Sequence, residues 1–180
     1  MKLLLPLLGL FTSSAFGLKA IAVLKTDNGD GYGNVTFTED FSDSVKGTRV
    51  QAELYGLTTG LHGFHIHEFG DLSNGCNSTG AHYNPFDRSH GGPTDLDRHV
   101  GDLGNIQSHG PNSVSKLDIT SNYVHLAGPY SVIGRAILVH VGEDDLGKGN
   151  DPTSKTTGNA GGRFMCGVIG WANTTPPPAK

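Results

Sequence analysis

Seven side chains in this sequence are of types that hold metal ions, at spacings that could bring them together. Gly63-Phe64-His65-Ile66-His67-Glu68 places two histidines two residues apart. On a strand, residues i and i+2 project from the same face, so His65 and His67 can reach one ion. Downstream stand His82, His90, His99 and Asp102, at steps of eight, nine and three residues. Three imidazoles and one carboxylate make a complete tetrahedral zinc set. His140 ends the apolar run Ala136-Ile137-Leu138-Val139. Six histidines and an aspartate are more than one tetrahedral site uses, and two ions sharing a ligand would absorb the excess. Four imidazoles suit copper, which accepts square-planar nitrogen ligation when oxidised. One imidazole metallated on both ring nitrogens could bridge the two ions.

Such donors need rigid elements to present them. Strand patterns occur at Ala20–Leu24, Asn34–Thr38, Val45–Leu54, Leu61–Phe69, Val100–Ile106, Val114–Ile119, Ala136–Val141 and Met165–Trp171. The turn signal Asp27-Asn28-Gly29-Asp30-Gly31 separates the first two. No helix pattern exceeds a turn or two. Between strands lie two long irregular stretches, Gly70–His99 and Glu143–Gly162. Eight short strands with two long loops predict an all-β fold, an eight-stranded antiparallel Greek-key barrel or sandwich. Loops of that length in a compact domain are usually functional, and a metal site would order them.

Composition agrees. Glycine makes up 27 of 180 residues, which suits short strands and tight loops. The formal net charge is −4 and no run of Lys or Arg occurs, which argues against a nucleic-acid partner or a polybasic membrane contact. The apolar run Leu3–Phe11 is too short to cross a bilayer. It follows Met1-Lys2 and precedes Ala15-Phe16-Gly17, so residues 1–17 read as a signal peptide, with a cut after Ala15 as the alternative. The expected organisation is a signal at 1–17, one domain at 18–172 and a short polar tail at 173–180. The product would be secreted and extracellular, without a membrane anchor. In that compartment the two cysteines, Cys76 and Cys166, suggest a disulfide. Asn34, Asn77 and Asn173 each head an Asn-x-Ser/Thr sequon, hence possible N-glycosylation of a glycoprotein.

Longer motifs then coincide. Gly63–Asp71, Gly80-Ala-His-Tyr-Asn-Pro85, His90-Gly-Gly-Pro93, Arg98–Asn105, Val139-His140, Asp144-Asp-Leu-Gly147 and Gly158–Gly170 together resemble copper/zinc superoxide dismutase, in its secreted eukaryotic form. The resemblance covers essentially residues 20–172. It implies a homodimeric antioxidant enzyme that converts superoxide to dioxygen and hydrogen peroxide, with one copper and one zinc per subunit. His65, His67, His82 and His140 would bind copper. His82, His90, His99 and Asp102 would bind zinc, with His82 as the bridging, catalytic imidazole. Asp144 would orient His65 and His90 from behind. Arg163 would be the catalytic cation that draws in the anion, and Thr157 would narrow the channel mouth. Cys76–Cys166 would match the family's disulfide. Phe69, Gly70, Gly134, Val168 and Trp171 would form the dimer contact, with Trp171 replacing a smaller aliphatic residue. His62, His109 and His125 match no ligand position.

Two features depart from the family pattern. Asp151-Pro152-Thr153 stands where relatives often carry more acidic residues, and Lys155 is displaced by one position. A secreted metal carrier without turnover would share the ligands but have no need of Arg163 or Asp144. An extracellular adhesion sandwich would share the strands but have no need of seven ligand-type side chains.

Overall fold

The structure, a computed structural model, describes residues 17–41 and 47–174. The expected signal peptide, apart from Gly17, most of the polar tail and the first residues of the strand expected from Val45 lie outside that range.

The main strands are β1 (Leu18–Lys25), β2 (Tyr32–Glu39), β3 (Thr48–Tyr55), β4 (Gly60–His67), β6 (Asp102–Ser108), β7 (Ser115–Ser121), β8 (Ala136–His140) and β9 (Arg163–Val168). They form one antiparallel sheet in the order β6-β4-β8-β9-β1-β2-β3-β7. The chain leaves β3 for β4 and β7 for β8 by crossing between non-adjacent strands, the Greek-key pattern. The end strands β6 and β7 follow each other in sequence and pack together, so the sheet curls into a nearly closed barrel.

Two short strands were not foreseen. The loop expected to be irregular contains β5 (Ser73–Cys76) and a 3-10 turn, Asn77–Thr79. The segment expected as one strand to Trp171 breaks at Ile169, whose N–H bonds the Arg135 carbonyl; Gly170–Trp171 then pairs with β1 as β10. The only α-helix among the described residues is α1 (Ser154–Thr157), within the second long loop.

Burial explains which strands carry chemistry. In β1 every second residue, Ala20, Ala22 and Leu24, enters the core, while the residues between face outward. In β4 and β8 both faces are buried. Phe64, Ile66, Ile137 and Val139 point into the barrel core with Phe37, Leu54 and Met165. Their neighbours on the other face, His65, His67, Leu138 and His140, point outward, where the two long loops cover them. The histidines are therefore buried between barrel and loops, not within the barrel.

Two register shifts re-aim side chains on this face. Gly63 pairs with Asn105 but His65 pairs with Asp102, so β6 carries an extra residue there. Gly104 takes φ +82° in that bulge, a conformation glycine tolerates at little cost. Val139 pairs with Met165 but His140 pairs with Arg163, so β9 carries an extra residue. The first shift sets Asp102 opposite His65, and the second sets Arg163 opposite His140.

Candidate metal centre

All six candidate histidines and both aspartates are buried, none more than 6% exposed. Their donor atoms fall into two groups that share His65 and His82. In the first, ligand atoms of His65, His67, His82 and His140 lie within 4.8 Å of one another. In the second, those of His65, His82, His90 and Asp102 do so as well. His99 belongs beside the second group, since Asp102 Oδ1 lies 2.9, 3.0 and 3.1 Å from the Nδ1 atoms of His82, His90 and His99. Three imidazole nitrogens converging on one carboxylate oxygen is more than hydrogen bonding requires, and it is how the corners of one coordination polyhedron lie.

Four of the rings are fixed through their other nitrogen. His67 donates Nδ1–H to the Gly80 carbonyl at 2.9 Å, and His140 donates Nδ1–H to the Gly161 carbonyl at 3.0 Å. His65 and His90 each donate Nε2–H to a separate oxygen of Asp144, both at 2.8 Å. The remaining nitrogens, His65 Nδ1, His67 Nε2 and His140 Nε2, together with His82 Nε2, are buried without a hydrogen-bond partner. These are lone-pair nitrogens crowded together; the His65 and His82 ring centroids are 4.0 Å apart. Buried polar atoms are rarely left unpaired. Lone pairs cannot satisfy one another, and a cation can satisfy them all. The donor set thus fits two ions, four imidazole nitrogens for one and three imidazoles plus a carboxylate for the other, which are copper-type and zinc-type sets.

The electrostatics prepare the same outcome. Burial holds His65, His67 and His82 below the usual imidazole range, and it pushes His140 down to about 4. These rings are neutral near pH 7, the form that ligates. For His90 burial pulls downward, but hydrogen bonds to Asp102 and Asp144 prevail and raise it to about 9. Burial alone would raise Asp102 and Asp144, yet their histidine partners hold both well below the carboxylate range.

Residues with no assigned role in the sequence reading complete the support. Asn105 clamps Asp144 from both sides: its Nδ2 donates to the Asp144 carbonyl and its Oδ1 accepts the Asp144 N–H, each at 2.8 Å. Leu146 N–H donates to Asp144 Oδ1, while His99 and Gly91 N–H donate to Asp102 Oδ2. Buried Arg98 donates to the carbonyls of His99 and Asp102 and lies 4.1 Å over the Tyr123 ring. Gly158, at φ +67°, sits where a Cβ would run into Asp144 Oδ1 and His90 Nε2. In the sequence Gly91, Arg98, Asn105, Leu146 and Gly158 stood only inside the motifs His90–Pro93, Arg98–Asn105, Asp144–Gly147 and Gly158–Gly170, with no role of their own.

Cys76 and Cys166 form a disulfide that ties β5 to β9 on the histidine-bearing face, beside Leu138. Arg163 Nη1 donates to the carbonyls of Cys76 (2.6 Å) and Asn77 (3.1 Å) and to Thr79 Oγ1 (3.0 Å), and Nη2 donates to the Gly80 carbonyl. Its charge lowers both His67 and His140, so the guanidinium stands close to the first group. Thr157 is exposed at the end of α1, whose Lys155 carbonyl accepts the His90 N–H. Asp151 is exposed and bonds Thr153. His62 is buried between the carbonyls of His140 and Thr58, His125 pairs with Glu39, and His109 is exposed.

Comparison with known proteins agrees with this geometry. Residues 31–169 match the family model described as copper/zinc superoxide dismutase (SODC). Over 153 residues the chain is 50% identical to an extracellular superoxide dismutase (Cu-Zn) of Brugia pahangi, covering 83% of this chain and 74% of that relative. The crystal structure of the clock protein EA4 superposes with a TM-score of 0.79 at 47% identity, over 87% of this chain and 96% of that one. A match spanning both long loops and all but two of the strands is not a likeness of fold alone, and this chain belongs to the copper/zinc superoxide dismutase family.

Proposed function

We propose that His65, His67, His82 and His140 hold copper, that His82, His90, His99 and Asp102 hold zinc, and that this pair dismutates superoxide to dioxygen and hydrogen peroxide. One observation carries the assignment: the two ring nitrogens of His82 face different donor groups, Nδ1 toward Asp102 and Nε2 among the unpartnered nitrogens of His65, His67 and His140. Bound copper supplies a redox centre that takes an electron from one superoxide and gives it to the next, while zinc keeps a fixed charge.

The side chains do the rest. Asp102 holds His82 through Nδ1, so Nε2 is the atom at which His82 can carry a proton for the departing peroxide. Asp144 fixes the tautomers of His65 and His90 in the two sites at once and locks their relative positions. Arg163 uses Nη1 and one Nη2 hydrogen to grip the loop, which leaves Nε–H and the other Nη2–H for an incoming anion. Thr157, on the loop that covers the site, limits what passes beside it.

Secretion and dimerisation belong to the same proposal. The extracellular relative and the apolar segment at residues 3–11 support export with cleavage after Gly17. Phe69, Val168 and Trp171 are 51%, 39% and 55% exposed. Gly70 packs so closely on Gly134 that a Cβ there would strike the Gly134 carbonyl, with Val168 beside it. These exposed apolar side chains suit contact with a second copy.

The test is superoxide decay, followed spectroscopically, with the protein loaded with both metals and a metal-stripped control. Copper-dependent decay far beyond stoichiometry is expected. Stoichiometric decay with both metals bound would leave a metal carrier instead. Light scattering should give twice the chain mass at micromolar concentration.

A further inference from the structure

We propose that the secreted protein carries an N-linked oligosaccharide on Asn34, with its first sugar seated on the ring of Tyr32; the proposal rests on the secretion inferred above. Asn34-Val35-Thr36 lies within β2, and Asn34 is exposed. Its outward neighbours define a small platform. Tyr32, two residues earlier on the same strand, projects from the same face about 7 Å away. Tyr32 is 56% exposed and stacks on Tyr55 of β3, with ring centroids 5.1 Å apart. Tyr55 is half-buried, so Tyr32 offers the exposed apolar surface of this stacked pair. The apolar face of a pyranose ring fits such a surface, and a sugar on Asn34 is tethered at its edge.

The cross-strand neighbours leave Asn34 accessible. Across β3 it faces Glu53, whose carboxylate is held by Lys116 at 2.8 Å. Across β1 it faces Val23, which is 69% exposed. Tyr32 pairs with Lys25 at one end of β1 and Trp171 pairs with Ala20 near the other, so a sugar on Tyr32 leaves the proposed dimer face open. The second sequon contrasts with this. Thr79, its hydroxyl residue, is fully buried, with Oγ1 donating to the Cys76 carbonyl and accepting from Arg163, and the Asn77 carbonyl also accepts from Arg163.

The transfer needs a polyprenyl diphosphate-linked oligosaccharide. The bond from the sugar's anomeric carbon to the phosphate oxygen breaks, and its electron pair leaves with the polyprenyl diphosphate. Asn34 Nδ2 forms the new bond to that carbon and loses one proton to a base. No redox change occurs.

The protein, expressed with its own leader in a eukaryotic host, is collected from the medium, treated with peptide N-glycosidase in heavy-oxygen water and mapped by mass spectrometry. Position 34 should appear as heavy-oxygen-labelled aspartate. If the chain stays in the cells, the secretion reading fails, and the same map on protein exported by a heterologous leader decides Asn34 separately. Unlabelled Asn34 in exported protein overturns the proposal. The seating is tested by Tyr32→Ser in glycosylated protein and in the Asn34→Gln background. The thermal midpoint should drop further in the glycosylated form. Equal drops would show that the sugar does not rest on Tyr32.

Discussion

His67 and Arg163 donate to one oxygen, the carbonyl of Gly80. A ring of the proposed copper set and the proposed substrate-guiding cation thus share an anchor in the first long loop. Arg163 is held there by four acceptors in all, three of them backbone carbonyls. Replacing it with isoleucine should lower kcat/KM about tenfold at low ionic strength and flatten the salt dependence, while metal content stays the same, because its N–H groups reach no metal-facing nitrogen. Arg163→Lys should keep part of the salt dependence. Superoxide decay rates across ionic strength, with metal analysis alongside, check both.

Asp144→Asn removes one of two acceptors. His65 and His90 each need an oxygen opposite Nε2–H, and an amide offers only one. Metal affinity should fall about 10–100-fold, the usual cost of losing such a support. Competition against a chelator measures it at each site.

His140→Ala separates the two donor groups. His140 belongs to the first and not to the second. Copper-dependent turnover should vanish with zinc still bound at one per chain. Loss of zinc together with turnover would mean that the two groups are not independent.

Acid should destabilise the metal-free protein. Free histidine titrates near pH 6.5, whereas burial, helped by His82 and Arg163 and opposed by the Gly161 hydrogen bond, holds folded His140 at about 4, with His65, His67 and His82 also lowered. Below pH 6.5 the unfolded chain takes up protons that the folded chain refuses. This stability is full above 6.5 and is lost as pH falls through 4. His90, raised to about 9, acts in the opposite sense: its contribution is full below 6.5 and is lost as pH rises through 9. At pH 7 His90 is therefore protonated, and zinc uptake should release its proton. Thermal midpoints from pH 7 to 4 check the first expectation, and a pH-stat titration with zinc checks the second.

Cys76→Ser should cost stability and activity together. The disulfide closes a separation of 90 residues, which the loop-entropy model values at about 4–5 kcal/mol as an upper figure. It also fixes the Cys76 carbonyl that Arg163 grips. Chemical denaturation should show a lower midpoint, and the residual activity should resemble that of Arg163→Ile.

The residue pattern alone was enough for the eight main strands, the donor types and their division between strand and loop. His65 and His67 are legible because period two is a property of any strand, and Ala20–Leu24 alternates for the same reason. Cys76 and Cys166 were legible as a pair once the expected leader implied an oxidising compartment. The family pattern then named the donor groups. Tertiary structure decided what depends on contacts between residues far apart in the chain. The bulges that turn Asp102 toward His65 and Arg163 toward His140 arise from a one-residue mismatch between paired strands, which neither strand shows alone. The clamp of Asn105 on Asp144 joins residues 39 apart. The loop expected to lack structure acquired β5 because the disulfide holds it against β9. Above all, the unpartnered nitrogens appear only when the barrel and both loops close over them, since an exposed imidazole in an open chain would bond to water.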